Sequence, residues 1–399
     1  MAGNITKVKE GSYRLRYKDY SKYVKAKNDS EAERLLAKFI TDIDSGDFTK
    51  PSKVTFREFA KKWLKEYAEV ELAPKTVFRY KQLLDTRIFK AFGDKRLDKI
   101  KPLDLLEFYN SLRKKHKYDV IQEDGTTKEK DADPLSEQTI KHHHRLICAM
   151  FEKAIKWGIL HGANPAKRID APKTEKKKAK CYDEKQVQAL LDALEKTKPE
   201  ELKYKVATMI ALITGARLGE IMGLEWQDIN FENKYIEIRQ SSQYLPKQGI
   251  FTKAPKTETS KRRVSVNKML LDLLEEYKAD QQSKGFLCQD NNRLFITWEG
   301  KPMHPYTVTK WFPEFLERNK LPHLNFHGLR HTSATFLISK GMDIETVAGR
   351  LGHSTSATTQ NVYSHFLEAK DKQAADLMEK SFNKDRKRNR IKKSTKGIG

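Results

Sequence analysis

The sequence has few cysteines, no long apolar run and a shortage of acid, and each lack excludes something. Cys148, Cys181 and Cys288 are odd in number, far apart and in no CxxC pair, so they form no disulfide framework and read as reduced thiols of a cytosolic protein. No apolar stretch approaches the roughly 18 residues that cross a bilayer, which argues against a membrane partner. The N-terminus MAGNITKVKEGSYRLRY lacks the apolar core of a secretory signal, so the expected compartment is the cytoplasm. No grouping of Asp, Glu and His has the character of a two-metal nuclease site, which makes metal-dependent cleavage the poorer account. His142, His143 and His144 are consecutive on an expected helix, where neighbours diverge by about 100° and cannot all face one ion. No repeat recurs at a fixed period.

What is abundant is positive charge. Lys and Arg number 78 against 54 Asp and Glu, a formal net charge of +24 over 399 residues, and the basic residues recur along the whole length. A polyanionic partner is the leading inference. The bland alternatives are a soluble protein that is simply basic, or charge directed at acidic lipid headgroups.

A chain of this length suits two or three domains. Residues 12–27, SYRLRYKDYSKYVKAK, alternate aromatic and basic side chains at a period near two, the pattern of short strands with one face packed and one cationic. A helix is expected from about Ser30, closing a module near residue 48. Three amphipathic helices follow from Thr55, separated by Pro74, Gly93 and Pro102. Residues 117–135, dense in Asp, Gly and Thr, read as an exposed loop. A fourth helix runs from Ser136 to about Trp157, with Ile140, Ile147, Phe151 and Ile155 inward. NPAKRIDAPKTEKKKAK, residues 164–180, reads as a basic linker. Beyond it Asp183 caps a helix, a second helix runs from about Glu201 to Thr214, and 234–242 and 259–266 are β-like, joined by a polar segment. Helices resume to about residue 382. The division is therefore 1–48, 54–165, a linker at 166–180, 181–383 and a basic tail at 384–399.

HLNFHGLRHTSATFLI, residues 323–338, places His327, Arg330 and His331 on one side of a helix, since residues three and four apart are neighbours, with Leu329, Phe336 and Leu337 toward the core. Burying such a face unpaired would cost several kcal/mol per charge, so a cleft holding acids or an anionic ligand is expected. Alone, His-x-x-Arg reads first as an exposed polar helix face. Arg217 stands in ITGARLGEIMGL after an apolar helix and a glycine, Lys256 in APKTETSKRRVSV, His353 after Leu351 and Gly352, and Tyr363 in STSATTQNVYSHF.

This ordered set resembles the tyrosine recombinases, specifically the integrases of temperate phages and conjugative transposons. The resemblance is strong over residues 178–380, looser over 54–165, where it points to a helical core-site-binding domain, and weakest over 1–48, which resembles a three-stranded arm-site-binding domain. It implies a multidomain, mainly α protein with a mixed α/β catalytic domain. It also implies double-stranded DNA as partner at core and arm-type sites, a homotetramer on DNA, room for DNA-bending or directionality accessory proteins, no cofactor, and a bacterial, nucleoid-associated location. In this reading Tyr363 is the nucleophile, Arg217 and Arg330 clamp the phosphate, His327 and His353 donate hydrogen bonds or move protons, and Lys256 is the general acid.

The chemistry suits these residue types. A covalent intermediate conserves the phosphodiester bond energy, a phenol with pKa near 10 needs cationic neighbours, and forked guanidiniums match phosphate oxygens better than ammonium groups. Lys253 and Lys261 compete with Lys256, and the Lys-Thr step favours 256. Glu220 either pairs with Arg217 or faces water, and His331 supports the site or the helix packing. Ala216 is smaller than the residue usual in the family at that position, a departure that touches packing. A type IB topoisomerase and a catalytically relict DNA-binding protein are the alternatives.

Overall fold

The computed structural model describes residues 3–45, 53–121, 126–175, 180–246, 248–253, 261–285, 292–352 and 378–379. The chain divides into two compact units, Met1–Lys176 and Lys177–Gly399.

The first unit opens with an antiparallel meander of β1 (Asn4–Lys9), β2 (Ser12–Tyr17) and β3 (Tyr20–Lys25) in that order. The period-two pattern works as expected on β2: Tyr13, Leu15 and Tyr17 are buried, leaving Arg14 and Arg16 on the opposite face. Arg14 is paired in register with Tyr23 of β3, and its guanidinium lies 5.6 Å from that ring. The buried face packs under α1 (Asp29–Asp44), through Ala32 and Phe39. Asn28 caps this helix by accepting from the Glu31 amide at 2.9 Å, so it begins slightly earlier than a Ser30 start.

The helical part of this unit buries a continuous aromatic and aliphatic core including Phe56, Trp63, Leu84, Phe108, Ile147 and Phe151. The first two helices each contain a π-helical turn. α2 (Phe56–Trp63) passes through Leu64–Ala68 into α3 (Glu69–Glu71), and α4 (Pro74–Leu83) through Leu84–Ile88 into α5 (Phe89–Phe92). Next come α6 (Pro102–Leu112) and α7 (Glu137–Lys156). On α7, Ile140, Ile147 and Phe151 are fully buried while Ile155 is partly so.

Two expectations are corrected here. The segment expected to be a loop at 117–135 contains an antiparallel hairpin, β4 (His116–Ile121) with β5 (Thr127–Ala132). It is held by charge and aromatic contacts rather than an apolar face: Arg87 lies over the Tyr118 ring at 4.6 Å and donates to His116 Nε2 at 2.9 Å, while Lys90 pairs with Glu129 and Asp119. The linker is also shorter than its composition suggests. Residues Pro165–Arg168 form a 3₁₀ turn with Ala166 buried in the helical core, and Asn164 donates to the Cys148 carbonyl at 3.0 Å and to Glu152 at 2.8 Å.

In the second unit Asp183 caps α8 (Glu184–Glu195) in a reciprocal box with Gln186. α9 (Leu202–Thr214) is the central helix, its Val206, Ala207, Ile210 and Ala211 almost fully buried. Around it lie α10 (Leu218–Ile221), α11 (Lys268–Ser283), α12 (Pro305–Arg318), α13 (Gly328–Ser339) and α14 (Ile344–Leu351). A three-stranded antiparallel sheet runs in the order β10 (Arg262–Ser265), β7 (Tyr235–Ile238), β6 (Ile229–Asn230). The polar connection expected between the two β-like segments itself forms a hairpin, β8 (Ser241–Leu245) with β9 (Gly249–Lys253). Among the described residues, no helix is long and apolar enough to cross a membrane.

Candidate active site

The site is built where α9 and α14 end. Both stop on a glycine in the left-handed region, Gly215 at φ +66° and Gly352 at φ +68°, a conformation that costs residues with a Cβ roughly 1–2 kcal/mol. The turn at Gly215 throws the chain directly into Arg217, which occupies the N-cap position of α10.

Arg217 is anchored twice by one carboxylate. Its amide donates to Glu220 Oε2 at 2.9 Å and its Nη1 to Glu220 Oε1 at 2.8 Å, while Nη2 donates to the Gly352 carbonyl at 3.3 Å. The Arg217 side chain nevertheless keeps 41% of its surface exposed. Glu220 does not face water. It is buried, and its Oε2 also accepts from Arg262 Nη2 at 2.8 Å. Burial alone would push its pKa up, but the Arg262 and Arg217 guanidiniums outweigh that and hold it below the usual carboxylate range.

Arg330 comes from the first turn of α13 and is only 2% exposed. Its Nη1 donates to the Gly215 carbonyl at 2.7 Å and to the Leu351 carbonyl at 2.8 Å. These are C-terminal helix carbonyls, the negative ends of two macrodipoles, which offset the guanidinium charge. Arg217 and Arg330 thus donate to the consecutive carbonyls of Gly352 and Leu351, which brings the two guanidiniums together beside the chain leading to position 353.

His327 stands at the N-cap of α13, exposed, with its ring edge-on to His331 at 5.0 Å between centroids. Crowding by protein atoms and then the Arg330 and Arg217 charges hold His327 below the usual imidazole range. For His331 burial dominates, helped by His327 and Arg330, and pushes the pKa down to about 4. Both rings are consequently neutral at pH 7. On the far side of α13 the expected pattern holds for Leu329, which is fully buried, but Phe336 is 40% exposed rather than in the core. Leu337 is partly buried against Ala334, Ile338, Val347 and Leu351.

The structure therefore assembles Arg217, Glu220, His327, Arg330 and His331. Lys256, His353 and Tyr363 lie outside the described residues. Of the rival tyrosines, Tyr244 packs against His304 at 4.1 Å and Tyr306 is 64% exposed on α12. Elsewhere His143 and His144 are buried singly against α7 and α6, and among the described residues no group of His, Cys, Asp and Glu could hold a metal ion. Arg262 is the residue that reading the sequence missed. A signal existed: it shares the inward phase of β10 with Val264, which is 1% exposed, two residues on.

Residues 180–370 match the phage integrase family and residues 55–113 match the phage integrase N-terminal SAM-like domain. The chain is 26% identical to the ICEBs1 integrase of Bacillus subtilis, over 88% of this chain and 89% of that protein. It is 31% identical to the tyrosine recombinase XerC of Alcanivorax borkumensis, over 58% of this chain and 69% of that protein. Among solved structures, it resembles the Tn1549 transposon integrase in complex with transposon right end DNA, with a TM-score of 0.65 at 22% identity over 81% of this chain and 99% of that one. It also resembles a lambda integrase dimer bound to a core site, with a TM-score of 0.53 at 17% identity, covering 90% of this chain and 94% of that one. These two likenesses concern the fold, and the sequence matches supply the family. With two arginines converging at the ends of α9 and α14 and relatives matched through both units, the chain belongs to the phage integrase family of tyrosine recombinases.

Proposed function

We propose that this recombinase integrates or excises a mobile element by cutting and rejoining DNA at specific sites, with Tyr363 as nucleophile. The observation that carries the reading is the meeting of Arg217 and Arg330 on the carbonyls of residues 352 and 351, immediately before His353, which itself precedes Tyr363 by ten residues.

The Tyr363 oxygen attacks the scissile phosphorus and loses its proton to a neighbouring base or solvent. A phosphorus–oxygen bond to tyrosine forms as the bond to the 5′ oxygen breaks. Lys256 protonates that leaving oxygen, giving a 3′-phosphotyrosine and a free 5′ hydroxyl. The partner strand's 5′ hydroxyl then attacks the phosphotyrosine and restores the diester, releasing the phenol. Arg217, held by Glu220 yet partly exposed, offers its fork to the non-bridging oxygens as negative charge grows on them. Arg330 reaches the same centre from α13, and His327 and His353 add hydrogen bonds. A neutral His327 suits that role, because it still carries one N–H. His331 supports the His327 ring.

In this reading the sheet module of residues 1–48 binds arm-type sites through its Arg14 and Arg16 face, 54–168 binds core sites, 169–180 joins them to the catalytic domain at 181–383, and the 384–399 tail adds charge. Four copies act together, as in the lambda integrase tetramer bound to a Holliday junction, in a bacterial, nucleoid-associated setting. A suicide substrate nicked beside the cleavage point tests the chemistry: wild type traps a covalent adduct, with chelator present, and Tyr363→Phe traps none. Adduct formation by Tyr363→Phe, or relaxed topoisomers without recombinant product from two cognate sites, rejects the reading.

A further inference from the structure

We propose that Arg262 is a positioning residue that ties together three stretches of the catalytic machinery far apart in sequence. This rests on the functional reading above. Arg262 is the first residue of β10, six positions beyond Lys256, and its main chain is fixed by pairing with Ile238 of β7. It is therefore the first sheet-anchored residue after the segment that carries the lysine.

Its side chain reaches the other two stretches at once. Nη2 donates to Glu220 Oε2 at 2.8 Å, and Glu220 in turn holds both the amide and Nη1 of Arg217. Nε donates to the Arg350 carbonyl at 2.7 Å, three residues before His353. The side chain is 7% exposed, so these bonds form out of water. Gly352 makes the room: a Cβ there would lie 2.6 Å from Arg262 Nη1 and 3.0 Å from Cζ. An ammonium has no planar fork, so lysine cannot address a carboxylate and a carbonyl in these two directions from one rigid group. The guanidinium thus fixes the Arg217 segment, the end of α14 and the root of the lysine segment in one frame.

The test uses the full-length chain and two suicide substrates, one with the natural 5′ oxygen and one with sulfur at that bridging position. A thiol leaves without a proton, because thiols are far more acidic than alcohols, so the sulfur substrate bypasses the lysine. Arg262→Gln should slow adduct formation on the oxygen substrate by about 100-fold, the scale expected for an ångström-level misplacement. It should recover about tenfold or more of that loss on the sulfur substrate, with DNA affinity within about twofold of wild type. Arg262→Lys should share the pattern, and so should Gly352→Ala, which displaces the guanidinium without removing it and carries the test if Arg262→Gln fails to fold. Wild-type rates in the variants, or equal losses on both substrates, overturn the proposal. A wild-type chain that forms no adduct on either substrate overturns the functional reading instead, a result distinct from any difference between variant and wild type.

Discussion

Arg217 and Arg330 carry the same charge into one site but are held in opposite ways, and their substitutions should separate accordingly. Arg330 is nearly inaccessible and joins the carbonyl ends of two helices. Truncating it leaves those carbonyls without a buried donor, a loss of the kind that costs about 1–3 kcal/mol per group. Arg330→Ala should therefore lower the thermal midpoint of the second unit as well as abolish the adduct. Arg217 is partly exposed and its removal opens no core. Arg217→Ala should leave the midpoint close to wild type while cutting adduct formation by about 10²–10³-fold, the usual effect of losing one oxyanion-stabilising donor. Melting curves beside suicide-substrate kinetics check both; equal effects of the two variants on melting would contradict the geometry. Glu220 belongs with this pair. Its i, i+3 spacing from Arg217 was visible in the sequence, but its second partner was not, because a link from Glu220 to Arg262 spans 42 positions and leaves no local periodic trace.

At the scale of elements, α7 carries a titration that should tie stability to acidity. His143 is fully buried, its Nδ1–H donates to the Thr139 carbonyl at 2.9 Å, and its buried Nε2 has no hydrogen-bond partner among the described residues. Burial pushes its pKa down from 6.5 to about 4, so the folded chain resists a proton that the unfolded chain accepts. Stability is therefore full above about pH 6.5 and falls as the pH drops toward 4, by about 3 kcal/mol for a depression of this size. Amide exchange along α7 should speed up steeply between pH 6.5 and 4.5, after correction for intrinsic rates, and His143→Phe should flatten that dependence. A pH-independent α7 in the wild type would contradict it. At the α9 end, Gly215→Ala should destabilise the second unit by about 1–3 kcal/mol, from a left-handed backbone and a new methyl driven into Leu351; an unchanged chemical-denaturation midpoint would show that the turn yields freely. The elements that were legible in the sequence share one property. β2, α7 and α8 each present an apolar stripe with its own period and α9 a near-continuous apolar run, so burial writes the pattern. The β4–β5 hairpin was not legible because β5, TKEKDA, offers almost nothing apolar to bury and the pair is held by Arg87 and Lys90. The π-helical turns escaped for a related reason: a single extra residue shifts the stripe without breaking it.

Over the whole molecule the net charge of +24 sets how binding should respond to salt. Each neutralised phosphate releases condensed counterions, so the logarithm of affinity falls linearly with the logarithm of salt concentration, at about 0.9 per phosphate contact on duplex DNA. A protein making about 6–10 such contacts loses roughly 10³–10⁵ in affinity between about 50 and 200 mM salt. The charge is spread over both units, which makes the slope divisible. Arg14 and Arg16 lie on the β2 face away from α1, beside Tyr23, which is 63% exposed. If that face grips arm-site phosphates, replacing both arginines by alanine should reduce the slope on arm-type DNA by about 2 and leave the slope on isolated core-type DNA unchanged. Fluorescence anisotropy across a salt series on the two duplexes measures this directly. Equal reductions on both would mean that the sheet reads backbone wherever it finds it, and no reduction on either would remove the N-terminal module from the DNA interface. Base preference behaves differently: phosphate contacts position a protein without reading sequence, so this double variant should weaken binding to cognate and scrambled arm duplexes by the same factor.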